Sequence, residues 1–164
     1  MSNSSFKLNQ FVVQHTLETL GVYSKSAENL LLATIVVQAE YPDLFPSHEG
    51  IGPYNIDKTT HCHIWDEHLA HDPDLASVVR GFASQHEFLK EPHVELATNL
   101  AYASAIVWMI YHYSGIKLPH AEDVAGLADF WSTHYIKRPN SCQLKYAFIS
   151  AYIQVSNNTT CFAA

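Results

Sequence analysis

Basic residues are scarce in this sequence: nine Lys and Arg stand against sixteen Asp and Glu, a formal charge of −7. A general nucleic-acid binder needs a basic face, so that class is excluded, and so is simple electrostatic attraction to acidic polymers or lipid surfaces. Cysteine is equally sparse. Cys62, Cys142 and Cys161 are odd in number and widely spaced, which is no disulfide framework and reads as reduced thiols. No apolar run is long enough to span a membrane. The most apolar stretch, Ala101 to Ile110, has about half the length required and reads as a core helix. Met1 to Ser5 has no basic region leading into an apolar one, so no signal peptide is expected. Repeats, low-complexity tracts and linkers are missing, as are a Ser-His-Asp or Cys-His nucleophile signature and a phosphate-binding glycine loop.

What remains is an ordinary globular composition, 48% hydrophobic and 15% charged over 164 residues. That predicts one domain, 1–164, with a sizeable core. The periodicity is helical throughout. Phe6 to Leu20 forms a first helix stopped by Gly21, and Ser24 or Ser26 caps a second that runs to Ala39. Apolar nearly all round, the second helix belongs at the centre of an all-α domain. Residues 41–57, with Pro42, Pro46, Gly50, Gly52 and Pro53, read as a loop or short irregular hairpin. A helix over 58–71 begins near Thr59 or Thr60, and a short one capped by Asp74 reaches Gln85. Glu91-Pro92 opens the longest helix, Val94 to Tyr113; Glu122–Tyr135 and Gln143–Gln154 follow, and the tail 155–164 is expected to fray. Eleven histidines are unusual, and four of them, His61, His63, His68 and His71, crowd one segment. The spacing lets His61, His68 and His71 share a helical face, but without a motif such as His-Glu-x-x-His the segment is read as a polar face, with no metal and no cofactor.

The segments that suggest chemistry are the buried helix Leu30–Glu40 and the turn Gly50-Ile51-Gly52-Pro53-Tyr54-Asn55-Ile56-Asp57. Cleaving a glycosidic bond needs a proton donor beside the leaving oxygen, and a Glu ending a buried helix suits that role because apolar walls raise its pKa. The run Gly52-Pro53-Tyr54-Asn55-Ile56-Asp57-Lys58-Thr59-Thr60-His61 with Ile64-Trp65 resembles one found in a lysozyme-like family of phage proteins, often virion-associated or structural. Thr98-Asn99-Leu100-Ala101-Tyr102-Ala103, and Asp123-Val124-Ala125-Gly126-Leu127-Ala128 with Trp131, His134 and Tyr135, resemble later runs of that family. The similarity covers about residues 28–152, with helix 6–20 and tail 155–164 flanking it.

The resemblance implies a lysozyme-like fold and a peptidoglycan glycan strand as ligand. Counting from Thr34, the family's catalytic Glu falls at Gln38; matching Gln to Gln puts Ala39 there. Glu40 and Glu49 are the substitute acids, although two helical steps turn Glu40 about 200° from Gln38. Tyr54 and Asn55 would position the sugar. Asn99 and Tyr102 are read as core hydrogen-bonding groups, with sugar contact as the alternative. The expectation is a virion component, of the tail or an ejected internal protein, made in the host cytoplasm and assembled with other virion proteins, its activity weak or lost. The alternatives are an active muramidase or lytic transglycosylase cleaving the β-1,4 bond between N-acetylmuramic acid and N-acetylglucosamine through Glu40, and a purely structural assembly protein using an aromatic-rich surface or the Phe162 tail.

Overall fold

Ser24 fixes where the central helix begins: its hydroxyl accepts a hydrogen bond from the Ala27 amide at 3.1 Å. The computed structural model describes residues 3–45 and 49–160. Helix α1 (Asn3–Thr19) ends ahead of Gly21, whose φ of 71° suits a residue without a side chain. Helix α2 (Lys25–Glu40) then runs through the middle of the protein, with every residue from Ser26 to Val37 buried. Leu30, Leu31 and Leu32 are all out of solvent, each contributing about 1.5–3 kcal/mol of burial.

The remaining helices are α3 (Lys58–His63), α4 (Pro73–Phe82), α5 (Gln85–Lys90), α6 (Glu95–Thr98), α7 (Leu100–Tyr113), α8 (Val124–His134) and α9 (Cys142–Thr160). α9 and α1 pack along α2, α7 lies against α1, α8 covers α9, and α4 covers α7. All-α is therefore the observed class, and the described residues contain no strand. Ala101–Ile110 is core helix, and among the described residues no single helix is long and apolar enough to cross a membrane. Cys62 and Cys142 are exposed free thiols; Cys161 and the Phe162 tail lie outside the described residues.

Several boundaries differ from the sequence reading. The long helix expected over 94–113 breaks at Asn99 and bends by 107°. Asn99 leaves helical geometry and caps α7, its Oδ1 accepting from the Tyr102 amide at 3.1 Å. α3 starts at Lys58 as expected, capped by Asp57, and Asp72, not Asp74, caps α4. α4 stops at Phe82, and Ser84 starts a separate helix. α9 continues to Thr160, through much of the tail expected to fray, because Val155 is still buried.

Two carboxylates are buried among the described residues, Glu28 and Glu95. Glu28, only 1% exposed, accepts from Gln10 Nε2 at 2.9 Å, Tyr23 Oη at 3.0 Å and Lys25 Nζ at 2.9 Å, joining α1, the α1–α2 turn and α2. Burial, then the hydrogen bond to Glu28, pushes the Tyr23 phenol up to about 12.

Candidate functional site

α2 emerges from the core at its last turn. Val37 is fully buried, Gln38 half-buried, and Ala39 and Glu40 are exposed. Opposite this end stands a small hairpin. Ile51 and Ile56 exchange backbone hydrogen bonds of 2.9 and 3.1 Å, and Gly52 to Asn55 make the turn. Gly52 at φ 72° and Asn55 at φ 55° supply the left-handed geometry that a tight turn requires. Two contacts hold the turn in place. A Cβ on Gly52 would lie 1.9 Å from the Leu96 carbonyl oxygen, so the hairpin backbone rests directly on α6. A Cβ on Gly50 would lie 1.7 Å from Asn55 Oδ1, so the glycine leaves room for that amide.

Between α2 and the hairpin lies a groove of about 640 Å³, lined by Asn9, Ile35, Gln38, Asp43, Phe45 and Asn55 among others. A second cavity of about 220 Å³ continues past the same ridge, where Gln38, Phe45 and Asn55 meet Asp57, Tyr135 and Arg138. Gln38 and Asn55 thus belong to both compartments. Each amide can donate and accept, which suits neutral hydroxyl and acetamido groups. Asp43, on the 3₁₀ turn Pro42–Leu44, is the one carboxylate lining the larger groove among the described residues. In the smaller cavity partial burial works to raise the Asp57 carboxyl, but the hydrogen bonds from Thr60 and the charge of Lys137 outweigh it and leave the group below its usual value. With Oδ1 and Oδ2 engaged by Thr60 at 2.7 and 2.9 Å, Asp57 is a cap and not a proton donor.

The other predicted residues lie elsewhere. Glu40 projects toward α9, where Gln154 Nε2 donates to it at 3.4 Å, and it lines neither compartment. Its position two residues beyond Gln38 turns it off the groove face. Glu49 is exposed and also lines neither. Tyr54 is fully buried, its hydroxyl 2.8 Å from Ser104 Oγ, and burial pushes its phenol well above the usual value. Its carbonyl accepts from the Tyr135 hydroxyl, so Tyr54 anchors the turn from behind and does not face a ligand. Asn99 donates through Nδ2 to the Phe82 carbonyl and to Glu95 Oε2, both at 2.8 Å. Tyr102 is buried and receives Trp65 Nε1 at 2.9 Å, so both act as core hydrogen-bonding groups.

The histidine segment does not present one face. Ile64–His68 is a π-helical turn, whose extra residue rotates the chain beyond it. His61 points inward to His93 and Tyr102, whereas His68 meets His112 at 3.0 Å on the surface. Among the described residues no group of three or more His, Cys, Asp or Glu is placed to hold a metal. Phe45, Asp43, Tyr135 and Arg138 complete the site without having been foreseen as site residues. Only Tyr135 carried a signal, as part of the third family-like run. Comparison of the chain with protein families, with curated proteins and with solved structures finds no match.

Proposed function

We propose that this protein is a lysozyme-like virion component that holds a peptidoglycan glycan strand between α2 and the hairpin, with glycosidase activity weak or lost. The observation that carries the reading is Gln38. It lies in the last turn of the buried helix α2 and faces Asn55 across a two-compartment groove, at the position the resemblance gives to the general acid. An amide has no proton to give, and a missing general acid forfeits about 10²–10⁴-fold in rate. Binding is a different matter, since two amides and the Phe45 ring are ordinary sugar-contacting chemistry. The reading by which Glu40 is the acid loses support from that residue's place beside Gln154.

Zymography on peptidoglycan, with a sedimentation assay for wall binding, tests the proposal. Wild type is expected to bind without clearing, and Gln38→Glu to clear. Clearing by wild type that Glu40→Gln abolishes would restore the active-enzyme reading. A second reading, an assembly protein, is favoured by the bulky apolar residues left outward on α1 and α9, Phe11 at 69% and Tyr146 at 75% exposure. It predicts no wall binding and a multimer that Phe11→Ser or Tyr146→Ser disperses.

A further inference from the structure

Behind the hairpin lies a chain of four polar side chains that the groove does not use. Trp65 Nε1 is 2.9 Å from Tyr102 Oη, Tyr102 Oη is 2.7 Å from His61 Nε2, and His61 Nδ1 is 2.9 Å from His93 Nδ1. His61 is 1% exposed and Tyr102 fully buried. Counting protons leaves a single arrangement that makes every link and also gives the Tyr102 O–H an acceptor within the chain. An indole N–H only donates, so the Tyr102 oxygen accepts from Trp65 and sends its own proton to His61 Nε2. His61 must then carry its proton on Nδ1 and give it to His93 Nδ1. Both imidazoles are therefore neutral. A proton added to His93 Nδ1 faces the His61 proton across 2.9 Å. If His61 yields by moving its proton to Nε2, that proton goes to the Tyr102 oxygen beside the Trp65 bond, and the buried phenol O–H loses its acceptor. Each protonated state leaves a buried N–H or the Tyr102 O–H without an acceptor in the chain.

These links join the parts that seat the hairpin. His61 lies on α3, whose cap Asp57 directly follows the hairpin's Ile56. His93 lies three residues before Leu96, on whose carbonyl Gly52 rests. We propose that the His61–His93 pair is an acid-released latch on the hairpin wall of the groove. Uptake of one proton parts α3 from the turn Pro92–Val94 and loosens the wall that carries Asn55.

The surroundings offer no compensation. Burial, then the charge of His93, holds the His61 imidazole down at about 4, and no carboxylate acts on it. Glu95 on α6 and Arg80 on α4 act on Tyr102 with opposite sign. Lys58 on α3 pairs with Glu91 at 3.8 Å on the exposed rim. Trp65 and the ring of Phe88, which packs on both Trp65 and Tyr102, close the remaining sides.

The consequence for a bound glycan rests on the proposed glycan-binding role of the groove; the latch itself does not. Amide hydrogen exchange over residues 50–61, corrected for the intrinsic effect of pH, tests it at pH 7.5 and 5.0. In wild type, opening of these amides is expected to increase about tenfold at the lower pH, the change expected for one pKa unit of coupling. His93→Asn places a carbonyl oxygen where Nδ1 stood, an acceptor that cannot be protonated there, and is expected to show a clearly smaller increase, what remains coming from the burial of His61 itself. Equal exchange at the two pH values in wild type, or an equal increase in His93→Asn, overturns the latch. Chitotetraose binding is measured alongside. Binding lost at pH 5.0 in wild type and kept in His93→Asn supports both proposals. Exchange that tracks the latch, with no chitotetraose bound at either pH, keeps the latch and removes the glycan reading.

Discussion

At the N-terminal end of α2 the Glu28 carboxylate is buried and held by Gln10, Tyr23 and Lys25, whereas at the C-terminal end Gln38 faces the groove as a neutral amide and Glu40 lies on the surface. The same helix thus treats acids in opposite ways. Its N-terminus is the positive end of the backbone dipole, and three donors add to that, so a carboxylate there is stabilised although buried. Its C-terminus is the negative end, walled by Ile35, Phe45 and Ile110, where a carboxylate would tend to keep its proton. That environment suits a general acid, yet the residue present is one that cannot act as one. A structural acid stands where three donors hold it, and an amide stands at the groove position.

The largest expected effect breaks the buried end. Glu28→Ala removes three hydrogen bonds that join α1 to α2 and is expected to cost about 3 kcal/mol in urea unfolding. A comparable loss should come from acid alone. His61 folds with its imidazole held near 4 against an unfolded value of about 6.5, so the unfolded chain binds the proton first. The stability is fully present above about pH 6.5 and disappears as pH falls toward 4, an expected loss of about 2–3 kcal/mol in urea titrations at a series of pH values. Gly52→Ala meets the Leu96 carbonyl and a φ of 72°, and should cost about 2 kcal/mol by thermal melting. Gln38→Glu makes the two ends of α2 alike in residue type and sharpens the comparison. Its carboxyl is expected to titrate above about 5 by NMR, with a stability change under about 1 kcal/mol; a value at or below about 4.3 would mean that Arg138 outweighs the apolar walls. Glu40→Gln should move stability by less than about 0.5 kcal/mol, since its side chain is exposed and weakly held.

The buried helix was legible in sequence because Ser24 and the unbroken apolar run are local signals, and the hairpin because Gly52 and Asn55 are turn residues. Asn99 shows the limit. In an apolar segment it reads as a tolerated helical residue, but the Phe82 carbonyl, seventeen positions away, supplies the partner that favours a break. Tyr54 failed in the opposite sense. A tyrosine in a glycine-rich turn suggests a ligand contact, yet Ser104 on α7 draws its hydroxyl inward. The groove showed the same division. Gln38 and Asn55 could be picked from their segments and Tyr135 from its motif, whereas Phe45 and Arg138 arrive there through tertiary packing alone.

The seat of Gly52 on Leu96 also determines what sets the span of the groove. At Gly52 the hairpin meets α6 through main-chain atoms, the Leu96 carbonyl and the Ala97 Cα. Substitutions along either wall can therefore change what the groove contacts while leaving its width nearly constant. While the His61–His93 latch stays closed the groove keeps one gauge, and substitutions act on its lining alone.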